Sequence, residues 1–517
     1  MPSPRDTAAA LLVVVAVATP VRAAPDPAAP CAAAKLEASG QALARLIRCE
    51  IGSATRRDPA AKRACRARAD RRRHRAFAAA ETAGGCLLAG DETAAATAVI
   101  GFLDDVRTRV SASGRLSRCA RRALLATGTR ARALLDATAN ALVTQDAAEL
   151  AAARTAAQAR FEQDIEKALA KGHCAPAFDP GTLAATGDAF VETLRTTLLP
   201  PLRALAAATG HRIGAAVQSG YLANEPDYVT TLSREFNAVT AEFEALWVVL
   251  HPAPGVYDFA ALDALADFAE THGMLLRAHH LIWDLYYADY LNALTPEALR
   301  VEFEDHIRTV AGRYRGRVAT WVVVNEAANL FDAGYRSGLW VDQLGPGYIA
   351  DAFRIAHEAD PDAELIYNDV FAEEIGPKSD FIYAMVQDLL AQGVPIHGVG
   401  FQMHQFFGAP LPETLQANLQ RFADLGLRVQ LTEMDVLTDR FPGDLEARLE
   451  QQRSIYHDAV AACLAVSGCE AVTFWGFTDK HSWIDTFFGP NRYPLPFDAD
   501  YQPKPAYFGV RDALLGR

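Results

Sequence analysis

Short β-branched runs alternate with helical patterns from about residue 183 to the C-terminus, and this alternation constrains the fold more than any other feature. Eight strand–helix units in roughly 330 residues fit a (β/α)8 TIM barrel. The candidate strands span residues 212–217, 237–240, 275–283, 319–325, 364–368, 398–404, 428–432 and 471–477. Helical patterns between them include residues 262–272, 299–314, 348–359 and 415–425. A doubly wound open sheet is the alternative, but no glycine-rich phosphate-binding motif follows any strand, so nucleotide binding has no support.

Residues 31–175 have a different composition, rich in Ala, Arg, Leu and Glu and with almost no proline after Pro59. Apolar residues recur at helical spacing, as in Leu135, Ala139 and Leu142, which predicts several amphipathic helices. Six of the eight cysteines lie here and none forms a C-x-x-C pair, so disulfides are a simpler explanation than a zinc ribbon. We therefore predict an α/β protein in which a disulfide-linked all-α N-terminal domain (31–175) precedes the barrel (183–517).

The first residues have the pattern of an export signal. Residues 8–18 form an uninterrupted apolar run, and Val21-Arg22-Ala23 then offers small residues at the two positions that a signal peptidase reads. We expect a signal peptide over residues 1–23, with a disordered alanine-rich start as the alternative. All eight cysteines follow this segment, which favours a secreted protein, extracellular or periplasmic. Cys463 and Cys469 flank a short loop and are expected to pair, whereas the pairing of the other six stays open.

The net charge of −13 argues against long-range attraction to nucleic acid or to an anionic membrane. No apolar stretch reaches the 18 residues of a membrane-spanning helix, so we expect no membrane insertion. The charge is uneven, because residues 56–75 are densely basic. This stretch could bind an anionic polymer, such as a uronate-bearing polysaccharide or the cell envelope, and a solvated helix face is the alternative.

Two glutamates close apolar strands of the predicted barrel. Glu326 ends the fourth strand, W-V-V-V-N-E, and Glu433 ends the seventh, V-Q-L-T-E. Active sites of such barrels lie at the C-terminal ends of the strands, and strands four and seven lie on roughly opposite sides. Glycoside cleavage needs one carboxyl group to protonate the leaving oxygen and another to attack the anomeric carbon or to activate water. The pair therefore predicts glycoside cleavage, with a salt-bridged strand end as the alternative for either glutamate alone.

Five strand-end motifs stand out: W-V-V-V-N-E-A at 321–327, L-T-E-M-D at 431–435, G-V-G-F-Q-M-H at 398–404, V-T-F-W-G-F-T-D-K-H-S-W at 472–483 and residues 277–283. Over about residues 205–515 they resemble, in that order, the acid/base, nucleophile, sixth-strand, eighth-strand and, in part, third-strand motifs of glycoside hydrolase family 10, the endo-β-1,4-xylanase family. The N-terminal region is not covered by this resemblance.

The resemblance implies a role for each matching residue. Glu326 is the general acid and then the base, Glu433 is the nucleophile, and His404 with Asp435 orients and tunes Glu433; a core histidine satisfied by a carboxylate is the alternative for that pair. Asn325 holds the sugar 2-hydroxyl, and because side chains alternate along a strand, it can converge with Glu326 only where the strand ends and the backbone bends. The positions that match substrate-binding residues are Glu242, His279, Trp283, Asn325, Gln402, Trp475 and Trp483. A retaining mechanism implies carboxyl groups about 5 to 5.5 Å apart.

Other positions depart from the family pattern. In the second-strand motif A-E-N-x-x-K-W, Glu242 is kept, but Phe243 replaces the asparagine and Leu246 replaces the lysine. Further departures are Asp284 for a histidine, His280 for a small residue, and Val370-Phe371 for Tyr-Asn. By resemblance, the missing asparagine and lysine help to hold the glycone sugars, and apolar groups in their place remove hydrogen bonds that discriminate between substrates. The cleavage machinery is intact, and the departures concern the glycone subsites and therefore the choice of substrate.

We predict an enzyme, a retaining endo-1,4-β-xylanase that cleaves internal linkages of xylan by double displacement. Its partner is the polysaccharide, and we expect a monomer that needs neither a cofactor nor a metal. His279, His404 and His481 lack a supporting ligand cluster and the first strand lacks His-x-His, which argues against a metal-dependent hydrolase. The alternatives are the same machinery acting on another β-glycan or β-glycoside, and a noncatalytic carbohydrate-binding barrel.

Overall fold

A computed structural model of the chain describes residues 29–516, apart from 57, 85, 87–89, 112–115, 145–146, 173–177 and 407. The predicted signal peptide and Cys174 lie outside the described residues. An all-helical domain precedes a closed parallel barrel, so the predicted fold class is confirmed.

Within the described residues, six helices form the domain that precedes the barrel. They are α1 (Ala29–Arg56), α2 (Pro59–Thr82), α3 (Glu92–Val110), α4 (Arg118–Thr144), α5 (Ala147–Leu169) and α6 (Pro180–Leu198). Both α2 and α6 begin at an Asp-Pro pair. The Asp58 carboxylate accepts from the backbone N–H groups of Ala60 and Ala61, and Asp179 does the same for α6. The proline at N1 has no N–H to leave unsatisfied, so this pair is a strong start signal for a helix.

Apolar faces of these helices share one core, in which α1 packs against α2 and α4. Disulfides Cys31–Cys86 and Cys49–Cys65 add covalent links from α1 to α2 and to the segment after it. Buried side chains of α6, such as Leu183, Phe190 and Leu194, belong to this core. The core of the helical domain therefore extends past residue 183, where the sequence places the start of the barrel.

Eight parallel strands close the barrel. They are β1 (Arg212–Val217), β2 (Ala238–Ala241), β3 (Leu275–Ile282), β4 (Thr320–Asn325), β5 (Glu364–Asp369), β6 (Gly398–Phe401), β8 (Arg428–Val436) and β9 (Cys469–Phe474), and a two-residue segment, β7 (His404–Gln405), extends β6 along β8. Neighbours pair in sequence order, β6 pairs with β8, and β9 returns to β1. Strands buried on both faces read as continuous apolar runs, which is why the sequence located all eight.

Helices connect the strands and cover the outside of the barrel. In chain order they are α7 (Leu202–Ala208), α8 (Ser219–Asn224), α9 (Pro226–Glu235), α10 (Trp247–Leu250), α11 (Ala260–Thr271), α12 (Pro296–Arg313), α13 (Leu339–Leu344), α14 (Tyr348–Ala359), α15 (Pro377–Ala391), α16 (Pro412–Ala423), α17 (Leu445–Leu464), α18 (Trp483–Phe488) and α19 (Pro505–Leu514). The disulfide Cys463–Cys469 joins α17 to β9, as predicted. Across the described part of the chain, no helix is both long and apolar enough to cross a membrane.

Contacts between α6 and α19 join the two domains. The Arg195 guanidinium of α6 lies over the Phe508 ring at 3.8 Å from its centroid, and Arg511 donates to the Pro200 carbonyl at 2.7 Å. The helical domain is thus attached to the barrel at its C-terminal helix, α19.

Candidate active site

Glu326 follows the last residue of β4 at the C-terminal mouth of the barrel. Its φ of 53° lies in the left-handed region, which non-glycine residues adopt rarely. This bend breaks the alternation of the strand, so that Asn325 and Glu326 both face Gln402. The Gln402 amide donates to Glu326 Oε1 at 3.0 Å and to Asn325 Oδ1 at 3.4 Å. The convergence that the sequence required at the strand end is therefore present.

Glu433 lies buried within β8 and receives polar groups on both carboxylate oxygens. Asn368 of β5 donates to Oε1 at 2.7 Å, and His404 Nε2 lies 3.2 Å from Oε2. A third group, His279 Nδ1, lies 3.7 Å from Oε1. The Glu433 carboxylate is thus buried between an amide donor and two imidazole rings.

His404 and Asp435 form the pair expected beside Glu433. His404 Nδ1 lies 2.9 Å from Asp435 Oδ2, and the Trp483 indole N–H donates to the same oxygen at 2.8 Å. Burial by itself lowers the pKa of His404, but the carboxylates of Asp435 and Glu433 outweigh burial and raise its pKa to about 10. His404 is therefore a cation at neutral pH, held between two carboxylates.

Asn368 is a site residue that the sequence reading did not select. Its amide nitrogen donates to Asn325 Oδ1 at 2.8 Å as well as to Glu433, and its oxygen accepts from the Thr432 hydroxyl at 2.7 Å. Gly400 of β6 makes room for it, because a Cβ there would overlap Asn368 Oδ1 and would lie 2.7 Å from Thr432 Cγ2. Through Asn368, Asn325 and Gln402, one hydrogen-bonded path joins Glu433 to Glu326.

Arg336 is a second residue that the sequence reading missed. It lies ten residues beyond Glu326 in the loop after β4, and its Nη1 is 2.7 Å from Glu326 Oε2. Both side chains are partly exposed, Arg336 by 26% and Glu326 by 12%. Arg336 therefore places a guanidinium directly beside the Glu326 carboxyl group at the mouth of the barrel.

Aromatic and imidazole rings from three strand ends surround the buried carboxylate. The His279 ring lies 5.0 Å from that of Trp475, edge to face, and Trp475 lies 6.1 Å from His404. Trp283 packs near His279 and His280, with ring centroids 6.3 and 5.1 Å apart. Burial first, and then the positive charge of its neighbours, lowers the pKa of His279 well below its ordinary value. Neutral His279 therefore adds no charge beside Glu433.

Asn325 keeps one polar group for a ligand. Its Nδ2 is buried and has no hydrogen-bond partner among the described residues, whereas its Oδ1 accepts from Asn368 and Gln402. A buried amide donor without a partner is costly unless a ligand or water satisfies it. This position suits a donor to a substrate hydroxyl.

Below these groups, Arg277 of β3 crosses the interior of the barrel. It donates through Nε to the Thr240 hydroxyl at 2.9 Å and through Nη2 to the Thr432 carbonyl, next to Glu433. Burial lowers the pKa of Arg277 to about 10, and the nearby carboxylates Glu433 and Glu364 oppose that effect. Arg277 thus supplies positive charge from beneath the buried carboxylate.

Glu242 lies apart from these groups. Of the contacts that the structure describes for its side chain, the one hydrogen bond goes to Gln218, after β1, and none reaches Glu326 or Glu433. Burial, with nearby Glu244, raises its pKa to about 8 although the Gln218 contact opposes this. Glu242 is thus a neutral carboxylic acid at neutral pH, able to donate as well as to accept.

The departures from the family pattern change the character of the mouth. Phe243 is 41% exposed beside Glu242, whereas Leu246 is buried. Phe371 stacks on Phe331, which is 67% exposed, with ring centroids 5.3 Å apart. Asp284 accepts from the Trp340 backbone N–H at 3.2 Å, so it fixes a loop. Phenyl rings therefore stand at two places where the family has polar side chains.

Two carboxyl groups that share one mouth and differ in environment are what glycoside cleavage requires. Glu326 is partly exposed and bonded to an amide and a guanidinium, whereas Glu433 is buried among an amide, a cationic imidazole and the charge of Arg277. Among the described residues, no group of three or more His, Cys, Asp and Glu side chains is arranged to hold a metal ion.

Comparison with known proteins identifies the same region. A family model described as glycosyl hydrolase family 10 matches residues 201–513. Endo-1,4-beta-xylanase B of Thermotoga neapolitana is 40% identical over 321 residues, which are 61% of this chain and 91% of that protein. Beta-1,4-xylanase of Dictyoglomus thermophilum is 38% identical over 311 residues, 58% of this chain and 87% of that protein.

Solved structures agree with these matches. Xylanase 10B of Thermotoga petrophila RKU-1 in complex with xylobiose is 39% identical, with a TM-score of 0.58, over 61% of this chain and 97% of that one. An endo-1,4-beta-xylanase of Penicillium canescens is 29% identical, with a TM-score of 0.59, over 61% of this chain and 98% of that one. The family model begins at residue 201 and leaves the helical domain outside the match.

Proposed function

The chain belongs to glycosyl hydrolase family 10, and we propose that it is a secreted endo-1,4-β-xylanase in which Glu326 is the acid/base and Glu433 the nucleophile. The observation that carries this proposal is the difference between the two carboxyl environments. Glu433 is buried beside the Asn368 amide and the His404 imidazole, with the Arg277 guanidinium nearby, while Glu326 sits at the edge of the mouth, where a leaving oxygen can reach it.

The mechanism follows from these contacts in two steps. In the first, Glu433 attacks the anomeric carbon and Glu326 gives its proton to the leaving sugar oxygen. In the second, Glu326 takes a proton from water, which displaces Glu433 from the sugar. Arg336 favours the ionised Glu326 that the second step needs. The Asn325 amide donor is available to the sugar 2-hydroxyl, a contact that strengthens in the transition state.

The anomeric form of the first product tests this mechanism. Proton NMR during hydrolysis of xylan oligosaccharides should show the β-anomer at the new reducing end before mutarotation. In Glu433→Ala, hydrolysis should be lost, and azide should restore turnover of an aryl β-xyloside as the α-glycosyl azide. Early appearance of the α-anomer in the wild type indicates inversion, which needs carboxyl groups about 6.5 to 9.5 Å apart, and contradicts the assignment.

A second candidate substrate is another β-glycan or β-glycoside. Phe243 stands exposed where the family has an asparagine, and an apolar group cannot hydrogen-bond a glycone hydroxyl. A reducing-sugar assay on xylan, glucuronoxylan, mixed-linkage glucan and aryl β-glycosides separates the candidates, with Glu433→Ala as the blank. Xylan should give the highest rate; a higher rate on a glucan favours the second candidate.

Export and a monomeric state belong to the same proposal. Disulfides persist in oxidising compartments, and Cys31–Cys86, Cys49–Cys65 and Cys463–Cys469 support export of the chain. Mass spectrometry of the protein from its native culture should show a mature N-terminus near Ala23 or Ala24. Retention of Met1 in the extracellular protein contradicts signal-peptide cleavage.

A further inference from the structure

The two domains carry opposite net charges. Residues 29–198 contain 26 Lys and Arg against 18 Asp and Glu, a net charge of +8, whereas residues 199–517 contain 22 against 43, a net charge of −21. The net charge of the barrel repels an anionic polymer, whereas that of the helical domain attracts one. The distribution of cations on that domain therefore bears on its role.

Seven of the eight Lys and Arg residues of α2 fall into two groups, with Arg63 outside both. Those toward the bundle are neutralised. Lys62 and Arg66 both pair with Glu50, at 2.6 and 2.5 Å, and Arg73 pairs with Asp70 and Glu92, at 2.9 and 3.3 Å. These acidic side chains are thus already paired with cations on the inner side of the helix. They do not neutralise the cations on its outer side.

The outer group is the arginine stripe, which we define as Arg68, Arg71, Arg72 and Arg75. Their spacing of three, four and seven residues places them on one face of α2. All four are exposed, and none has an ion-pair partner among the described residues. The stripe is about 10 Å long. Like charges at these spacings repel and destabilise a helix, and an anion bound along this face would relieve that repulsion.

Neighbouring helices hold the stripe rigidly and extend it. The opposite face of α2, with Ala69 and Phe77, packs into the core of the helical domain, and Cys49–Cys65 ties it to α1. Arg45 of α1 is half-buried beside it. Burial, and then the guanidinium groups of Arg72, Arg48 and Arg132, lower the pKa of Arg45. Positive charge from α1, α2 and α4 therefore converges on one area.

We propose that the arginine stripe binds the carboxylates of uronate-bearing xylan and anchors the enzyme on that polymer. This inference rests on the proposed function, which supplies xylan as the polysaccharide. Guanidinium groups bind carboxylates through paired hydrogen bonds, and a rigid row loses little entropy on binding an extended chain. A membrane surface fits less well, because the apolar face that would have to insert is already packed inside the bundle.

Affinity gel electrophoresis of the full chain tests the anchor. The protein carries Glu433→Ala, so that binding is measured without cleavage, and migrates through glucuronoxylan, carboxyl-reduced glucuronoxylan or no polymer. The test variant replaces the four stripe arginines by glutamine. The matched control replaces Arg154, Arg160, Lys167 and Lys171, four exposed cations on or just after α5, and changes the net charge equally.

Four contacts, each of the strength of a surface ion pair, should give about a tenfold loss of affinity for glucuronoxylan in the stripe variant. The control should bind like the parent, and carboxyl reduction or added salt should abolish retardation. Equal loss in the control, or unchanged retardation by the carboxyl-reduced polymer, overturns the proposal. So does sedimentation with phosphatidylserine vesicles, or retardation by DNA, in the absence of glucuronoxylan binding. Hydrolysis of neutral xylan by the protein with Glu433 intact is assayed separately, so failure of the anchor and failure of the proposed function are distinguishable.

Discussion

Replacing Arg336 by methionine tests how a cation in the loop after β4 affects Glu326, which has to act first as an acid and then as a base. Methionine keeps the apolar stem of the side chain and removes the guanidinium that lies 2.7 Å from Glu326 Oε2. Without that cation, the protonated form of Glu326 becomes easier to keep at alkaline pH. The basic limb of the pH profile, where the general acid loses its proton, should therefore move to higher pH.

The exposure of the two side chains sets the size of this shift. At 26% and 12% exposure, the pair lies between surface pairs, worth about 0.2–1 kcal/mol, and broken buried pairs, which cost about 3–5 kcal/mol. An intermediate value of about 1.4 kcal/mol corresponds to one pH unit. We therefore expect the basic limb to rise by about one unit.

The assay is the pH dependence of kcat/KM on xylan oligosaccharides, whose sugar leaving group needs protonation. A matched control is Arg300→Met, because Arg300 makes a 2.9 Å ion pair with Asp351 on the outer helices. Its profile should coincide with that of the wild type. A basic limb in Arg336→Met that stays in place, moves to lower pH, or moves equally in the control would falsify the assigned role of Arg336.

Three further substitutions test the site. In Asp435→Asn, His404 keeps one carboxylate partner, and the effect of burial on its pKa should then prevail and leave the imidazole neutral. Glu433 thereby loses its neighbouring cation, so the acid limb of kcat/KM should move up by about one pH unit. An unmoved acid limb contradicts this coupling. In Asn368→Ala, loss of a 2.7 Å donor to a charged oxygen should lower kcat about ten- to a hundredfold, and the buried Thr432 hydroxyl left without its acceptor should lower Tm as well; an effect on KM alone argues for a binding role. Because burial raises the pKa of Glu242 to about 8, the folded protein keeps a proton that the unfolded chain releases above its ordinary value of about 4.3, so stability falls as pH rises between these values. Glu242→Gln should remove that loss of Tm between about pH 5 and pH 8, and an unchanged slope sets this account aside.

Strand ends were the most predictable part of the molecule. Glu326 and Glu433 each close an apolar run, and the barrel rule converts that position into a place at the mouth. His404 and Asp435 then meet beside Glu433 because β7 pairs with β8 in that register. The location of the apolar strands and of their C-terminal ends therefore predicted both the fold and the positions of the two glutamates.

Residues whose role depends on another segment were harder to find. Asn368 carries a local signal, since Asn368-Asp369 also closes an apolar strand, but its partners Asn325 and Glu433 come from β4 and β8. Arg336 carries no such signal, because an arginine in a loop has no periodic pattern and its ion pair depends on the path of the loop. The sequence placed the start of the barrel at residue 183 and did not predict that α6 packs in the helical domain, because an apolar helix face does not specify the domain against which it packs.

Gly400 has a consequence for attempts to redesign this barrel. A side chain at Gly400 would overlap the Asn368 amide and the Thr432 methyl group. The residue types allowed at these three positions therefore depend on one another. A library that varies one position at a time will score each as intolerant of change. Combinatorial variation of all three can reach alternative packings that single steps cannot, and it reshapes the support of Glu433 while Glu433 itself stays unchanged.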